Sequence, residues 1–496
     1  MVDPTPEQRE AVATYGDGTD LVLQAGAGCG KSSTLKLIAA ADPRARMVYV
    51  AYNKAIATDA KSSFPRNTMC STAHGLAFRA VGAQYKDRLF GAPRQTAHEA
   101  AQILNVPALI GYPATTPFVI SDLGEKIAFP TKRITRYALE AVTRWCYSAD
   151  PEITSRHIPR KPGLQHSDTI AAIAEFVLPV ARAAWDDLCR PDGALKFQHD
   201  HYLKMWQLGA PTLDADVVLL DEGQDTNDVV VDVVQRQEHA QRIVVGDSAQ
   251  QIYEWRGAAD ALSKFTAGGA QERMLSQSFR FGPVIADAAN EWLRLVGTGL
   301  RLTGFDRIDS RLGELAEPDA VLCRTNAGAM EVVMATLAAG KPVALVGGGS
   351  EMKRLAEAAD ALLDGRDTDH PELSGFATWD QVRQYAEEEA DGADLRVLVK
   401  LIDDYGPAPI IAATEQLTSE TKAGLVVSTA HRSKGREWPT VRIHNDFREP
   451  TPDRETKQVL VQREEARLAY VAVTRAREVL DCRALAWVRN VQGVAA

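Results

Sequence analysis

The chain is poor in three things, and each shortage narrows what it can be. Cysteine is scarce: Cys29, Cys70, Cys146, Cys189, Cys323 and Cys482 lie far apart in 496 residues with no C-x-x-C pair. That spacing argues against a disulfide-stapled scaffold or a cysteine-based zinc framework, and it suits a reducing, intracellular setting. Positive charge is in deficit, 56 Lys and Arg against 66 Asp and Glu, for a net charge of -10. Overall charge therefore does not draw the chain onto polyanions, and any nucleic-acid contact must be local. Long apolar runs are missing too. No stretch approaches the roughly 20 residues that span a bilayer, and Met1-Val2-Asp3-Pro4 does not read as a signal peptide. The expectation is a cytoplasmic protein without a membrane partner, nucleoid-associated in a bacterium or in host cytoplasm if viral.

What is present begins with a glycine-rich segment, Ala25-Gly26-Ala27-Gly28-Cys29-Gly30-Lys31-Ser32-Ser33, after the apolar run Leu21-Val22-Leu23. Glycines let backbone N–H groups converge on phosphate oxygens, Lys31 neutralises charge and Ser32 can ligate Mg²⁺. A helix expected over Ser33–Ala41 points its positive end at the same anion. Ala25 stands where the usual pattern has Gly, but the last three positions, which carry the chemistry, are intact. Far downstream, Val217-Val218-Leu219-Leu220 ends in Asp221-Glu222-Gly223-Gln224-Asp225. Asp221 is placed to hold the metal through its shell, and Glu222 to orient and deprotonate an attacking water. The pair of motifs reads as the two halves of a nucleotide-hydrolysing site, with ATP and Mg²⁺ as the expected ligands.

Short apolar runs recur in two groups separated by helical stretches, the pattern of parallel sheets covered on both faces. The first group is Leu21–Leu23, Met47–Ala51, Val217–Leu220 and Ile243–Val245; the second is Val321–Cys323, Val343–Val346, Leu425–Val427 and Val441–Ile443. The fold class expected is α/β, two tandem domains each interrupted by an insertion. The division is 1–74 with 201–280, insertion 75–200, then 281–346 with 418–496, insertion 347–417. Helical spacing from Ile170 to Trp185 makes the first insertion mainly helical. The second opens on Gly347-Gly348-Gly349 and carries Glu387-Glu388-Glu389-Ala390-Asp391, so it is small, acidic and a poor phosphate binder. One local excess of positive charge lies between Lys126 and Lys161. His199-Asp200-His201 reads as a solvated helix start rather than a metal site.

Further segments keep a telling order. Thr5-Pro6-Glu7-Gln8 precedes the glycine-rich loop, and Ala51-Tyr52-Asn53-Lys54 and Ser71-Thr72-Ala73-His74-Gly75 follow it. After the acidic strand come Val245-Gly246-Asp247-Ser248-Ala249-Gln250-Gln251-Ile252-Tyr253-Glu254-Trp255-Arg256-Gly257 and Ser276-Gln277-Ser278-Phe279-Arg280-Phe281-Gly282. The last are Ser428-Thr429-Ala430-His431-Arg432-Ser433-Lys434-Gly435-Arg436-Glu437-Trp438 and Tyr470-Val471-Ala472-Val473-Thr474-Arg475-Ala476. This series resembles superfamily 1 DNA helicases of the UvrD/Rep group over nearly the whole chain. In wording it is most similar to the helicase core of the F-box DNA helicases, and no F-box is seen in this sequence.

The resemblance implies two RecA-like domains and a set of roles. Gln8 would read adenine, Phe279 would stack on it and Glu437 would touch the ribose. Gln250 would sense the γ-phosphate, with Arg280 and Arg475 as arginine fingers. Tyr52, Asn53, Lys54, Thr72, His74, Tyr253, Trp255, Arg256, Thr429 and His431 match positions that grip single-stranded DNA. The implied activity is an ATP-dependent helicase or translocase, 3′-to-5′, acting as a monomer on single strands and single/double-strand junctions, with a recombination or repair protein as a possible partner. Alternatives are a translocase that strips recombinase or other proteins from DNA, and an ATP-gated DNA-binding subunit of a repair or defence complex. Phe279 stands for the family's usual Tyr, Gly223 for Ala, Trp438 for Phe or Tyr, and Arg436 for Leu. The short second insertion departs most, because full-sized relatives carry a large duplex-binding subdomain there. The basic Lys126–Lys161 stretch then becomes the expected duplex contact.

Overall fold

The computed structural model describes the chain except residues 1–2, 92–94, 112–115, 123, 125, 162–163, 253–259, 367, 369, 371, 374–375, 389–392, 453–455 and 495–496. It divides into two compact α/β units of RecA-like construction: residues 1–24, 31–246 and 253–273, and residues 25–30, 247–252 and 274–496.

The first unit is built on a six-stranded sheet in the order Thr68–Thr72, Met47–Ala51, Val217–Leu220, Gln241–Gly246, Leu21–Ala25, Gln271–Leu275. Met47–Ala51 runs parallel to both Thr68–Thr72 and Val217–Leu220, and Gln241–Gly246 runs parallel to Val217–Leu220 and Leu21–Ala25. Leu21–Ala25, Met47–Ala51 and Val217–Leu220 are buried along their whole length, which is why they read as apolar runs. Thr68–Thr72 and Gln271–Leu275 lie at the sheet margins and are partly exposed, so their mixed sequences gave no such signal. Helix Lys31–Ala41 starts two residues earlier than the expected Ser33.

The first insertion is mainly helical. Its centre is the pair Thr131–Cys146 and Ser167–Cys189, with a small hairpin, Phe118–Ile120 against Lys126–Ala128. Ile134, Tyr137, Ala138, Ala141, Val142 and Trp145, at helical spacing, meet Ile170, Ile173, Val177 and Val180 in a core continuous with Val48 and Val218 of the sheet. Helix His199–Leu208 begins where expected, with His199 exposed, but Asp200 and His201 turn inward. His201 is 5% exposed, and Asp200 accepts hydrogen bonds from His74 and from the Tyr147 hydroxyl. Burial pushes the His201 imidazole down to about 4, so the ring is neutral. The basic stretch is partly engaged internally: Lys161 pairs with Glu140 at 2.8 Å, Arg156 with Asp150, and Arg133 lies over the Phe129 ring.

The second unit carries its own six-stranded sheet, ordered Val343–Leu345, Leu425–Thr429, Ala320–Cys323, Trp438–Ile443, Ala476–Asp481, Arg311–Leu312, parallel throughout. The 347–417 insertion folds as helices Ser350–Leu363, Trp379–Glu388, Ala393–Tyr405 and Pro407–Glu415. Leu355, Leu362, Val382, Leu398 and Ile402 pack with Val321, Val343 and Val427 of that sheet. The insertion is therefore a cover for the sheet as well as an acidic surface. No disulfide joins the cysteines, and no helix among the described residues is long and apolar enough to cross a membrane.

Candidate nucleotide and DNA site

The turn between strand Leu21–Ala25 and helix Lys31–Ala41 needs glycine at two points: Gly28 has φ +77° and Gly30 φ +74°. A Cβ on Gly28 would also sit 2.7 Å from Ser278 Oγ. The chain leaves this turn straight into Lys31, whose Nζ lies 2.5 Å from Glu222 Oε2.

Glu222 follows directly on the buried strand Val217–Leu220 and Asp221, and its backbone is left-handed, φ +53°. A non-glycine residue in that region stores about 1–3 kcal/mol of strain and marks a side chain aimed for a purpose. Gln224 Nε2 donates to the same Oε2 at 2.6 Å, so the carboxylate is gripped from two sides. Asp221 is 2% exposed; its Oδ2 accepts the Tyr49 hydroxyl at 2.5 Å and its Oδ1 the Glu222 amide at 2.9 Å. Burial first, then the neighbouring Glu222 charge, raises the Asp221 carboxyl above the usual range. Two carboxylates this close, one of them dehydrated, call for a cation. Their hard oxygen donors, with the Ser32 hydroxyl, suit Mg²⁺.

Gln8 is buried in helix Pro6–Tyr15, where it closes a capping box with Thr5; its Nε2 donates to Thr34 Oγ1 at 3.1 Å. It thus touches the helix that leaves the glycine turn.

The second unit gathers the remaining nucleotide motifs around residues 25–30. Ser278 Oγ donates to the Ala27 carbonyl at 2.8 Å, and the Phe279 amide donates to the Gly28 carbonyl at 2.9 Å. The Phe279 ring stands edge-on to Phe305 at 5.4 Å. Arg280 Nε donates to Glu437 Oε2 at 2.8 Å and its Nη1 to the Thr474 carbonyl at 3.2 Å. Glu437, assigned by resemblance to the ribose, here holds Arg280. Arg475 is 1% exposed and donates to the Val471 carbonyl (2.8 Å), Thr474 Oγ1 (2.8 Å) and Gln250 Oε1 (3.4 Å). Burial, then the Arg280 charge, brings its guanidinium down to about 9.

Among the described residues, those that resemblance matches to a single-strand grip lie where parallel strands end. Ala51 pairs with Thr72, so Tyr52 and His74 follow neighbouring strand ends in the first unit. Tyr52 is 47% exposed. Asn53 caps helix Lys54–Ser63, Thr72 caps Ala73–Ala80, and His74 Nε2 lies 3.0 Å from Asp200 Oδ1. In the second unit Thr429 caps Ala430–Ser433, which contains His431. Tyr253, Trp255 and Arg256 lie outside the described residues.

Sequence reading missed Tyr49 and Gln224 as supports of the acidic pair in the first unit, and Tyr470 as a support of residues 25–30 in the second. Tyr49 had one signal, a lone hydroxyl in the apolar strand Met47–Ala51. Two other features carry no site. Cys323, His444 and Asp446 offer ligand atoms within 4.8 Å of one another, but Asp446 already accepts the Arg324 and Thr325 amides and the Thr325 hydroxyl. A groove of about 870 Å³ in the second unit, lined by Glu331, Arg442 and Arg483 among others, contains none of the motif residues.

A glycine turn, a helix-start lysine and an acidic pair at the end of a parallel strand define a phosphate-loop nucleotide-binding protein. Two family models match the chain: an AAA domain over residues 8–256 and the UvrD-like helicase C-terminal domain over residues 377–482. Half of the chain thus belongs to the AAA-domain family, and its second half carries a match to the UvrD-like helicase C-terminal domain. It is 27% identical over 526 residues to F-box DNA helicase protein 1 of Schizosaccharomyces pombe, covering 96% of this chain and 57% of that protein. It is 28% identical over 499 residues to F-box DNA helicase 1 of Gallus gallus, covering 93% and 47%. The chain thus spans about half the length of these curated relatives.

Proposed function

We propose that this chain is a DNA-dependent ATPase that moves 3′-to-5′ along single-stranded DNA and unwinds duplex ahead of it. The observation that carries the chemistry is the constellation of Lys31, Asp221 and Glu222, a cation and two acids held together at the start of a helix and the end of a buried strand. Lys31 and the amides of the glycine turn bind the triphosphate, and Ser32 and Asp221 hold Mg²⁺, which when bound neutralises phosphate charge. Glu222, aimed by its left-handed backbone, takes the proton of the attacking water. Gln250, Arg280 and Arg475, in the unit that carries residues 25–30, stabilise charge on the departing phosphoryl group. Gln8, Phe279 and Glu437 fix the nucleoside.

Tyr52, Asn53, Lys54, Thr72, His74, Tyr253, Trp255, Arg256, Thr429 and His431 track the strand, each stacked base contributing about 1–3 kcal/mol. A duplex step costs about 1.4 kcal/mol, so base transfer is near balance and ATP supplies direction. The division into 1–74 with 201–280, 75–200, 281–346 with 418–496, and 347–417 is the framework for these motions.

Clearing proteins from DNA is a second reading. It is favoured by the 347–417 helices, whose apolar faces are taken up by the sheet and whose surface is acidic. The test is translocation kinetics on single strands of increasing length carrying an end fluorophore. A motor gives an arrival time that grows with length; a length-independent signal identifies an ATP-gated switch instead.

A further inference from the structure

Tyr470 belongs to the last motif, yet the reading above gives it no task. It is completely buried on helix Arg463–Val473. Its hydroxyl donates to Asp247 Oδ2 at 3.0 Å and accepts the Ala27 amide at 3.1 Å. Asp247 passes the connection on: the same Oδ2 accepts Gln250 Nε2 at 2.6 Å, and Oδ1 accepts the Ala249 amide at 3.1 Å. Gln250 Oε1 in turn accepts Arg475 Nη2 at 3.4 Å, and the Gln250 carbonyl accepts the Lys434 ammonium. A continuous chain of bonds therefore runs from the glycine turn through Tyr470 and Asp247 to Gln250 and Arg475. The Ala27 carbonyl is held by Ser278, so the two sides of this residue are gripped from different motifs.

We propose that Tyr470 is the positioning residue that couples the shape of the phosphate loop to Gln250 and Arg475, so that loop and γ-phosphate sensor move as one piece. This rests on the ATPase reading above. Three physical points support it. The hydroxyl is charge-assisted on the Asp247 side, and such bonds are the strong ones. Burial and the Asp247 charge push it well above the ordinary tyrosine range, so it remains a proton donor at any working pH. Finally, the Ala27 amide is buried and donates to this oxygen, so removing the hydroxyl leaves a donor to be satisfied by a shift of the loop.

Tyr470→Phe removes one oxygen and keeps the ring packing. The expected result is a fall of about tenfold to a hundredfold in DNA-stimulated kcat/KM for ATP, the size of one charged hydrogen bond, with more ATP hydrolysed per nucleotide travelled. A residue that only filled space would leave that ratio alone. Asp247→Asn is expected to act in the same direction, and the double variant to be no worse than the weaker single one, because both break one chain. Thermal unfolding midpoints identify any variant that has lost its fold, and the test then rests on kcat/KM and coupling in Tyr470→Phe alone. Unchanged kcat/KM and unchanged coupling in Tyr470→Phe overturn the inference, as do strictly additive effects. If Glu222→Gln abolishes turnover while Tyr470→Phe is silent, the ATPase reading stands and this inference fails; if Glu222→Gln is fully active, the reading itself fails.

Discussion

Replacing Arg475 with alanine is expected to lower DNA-stimulated ATP turnover by about 10³ to 10⁵, the range measured for arginine fingers, equivalent to roughly 4–7 kcal/mol of transition-state stabilisation. The expectation follows from where the guanidinium sits. It is buried, it has lost most of its hydration, and its pKa is brought down to about 9 by burial and by Arg280. A cation kept under those conditions is held at a cost, here offset by bonds to Val471, Thr474 and Gln250. Dehydrated charge is what acts most strongly on a developing anion, because no water has to reorganise. Arg475→Lys keeps the charge but loses the planar fork that reaches four acceptors at once, the Arg436 carbonyl among them, so it should recover little of the loss. Steady-state ATPase with saturating DNA is the measurement, with the unfolding midpoint as control. Turnover within about tenfold of the parent in a folded Arg475→Ala protein, less than 1.4 kcal/mol, would show that Arg475 is a structural brace.

Glu222→Gln should cost about 10²–10⁴ in turnover, the usual contribution of a general base, while ATP binding is retained. The amide is the same size, still fits the left-handed turn, and still accepts from Gln224. It can no longer take a proton, and it frees Lys31 from its 2.5 Å ion pair. Binding therefore has no reason to weaken, which separates this variant from Lys31→Ala, where the phosphate contact itself is lost. Single-turnover hydrolysis alongside fluorescent-nucleotide binding resolves the two effects. Loss of binding in Glu222→Gln, with chemistry intact in the fraction that binds, would reassign the carboxylate to a role in folding the loop.

Much of this molecule is legible in its sequence, and the gaps have common physical causes. Met47–Ala51 and Val217–Leu220 occupy the ranges expected, because strands buried on both faces must be apolar throughout. Ala476–Asp481, of sequence Ala-Arg-Glu-Val-Leu-Asp, hides the same role, since half-exposed positions in it are free to be charged. The 347–417 insertion was read by its acid; the stripe formed by Leu398, Leu401 and Ile402, which buries it against the sheet, was equally present in the letters. Lys31, Asp221 and Glu222 could be paired from motif order alone, although 190 residues separate Lys31 from Asp221. Tyr49 on Asp221 and Tyr470 on Ala27 could not, because a hydroxyl in an apolar run does not announce which distant acid it meets. His201 shows the converse: one residue of a polar triplet read as solvated is folded into the core next to Phe197 and Trp185, while His199 stays exposed.

The most direct test of a DNA-tracking motor is strand displacement on partial duplexes that differ only in the polarity of the single-stranded overhang, with ATP and Mg²⁺ supplied. The proposed function predicts ATP-dependent release of the shorter strand from the 3′-overhang substrate, little from the 5′-overhang or blunt substrate, and none with Glu222→Gln. ATP hydrolysis that DNA does not stimulate, with no displacement from either overhang and no movement along single strands, would contradict it.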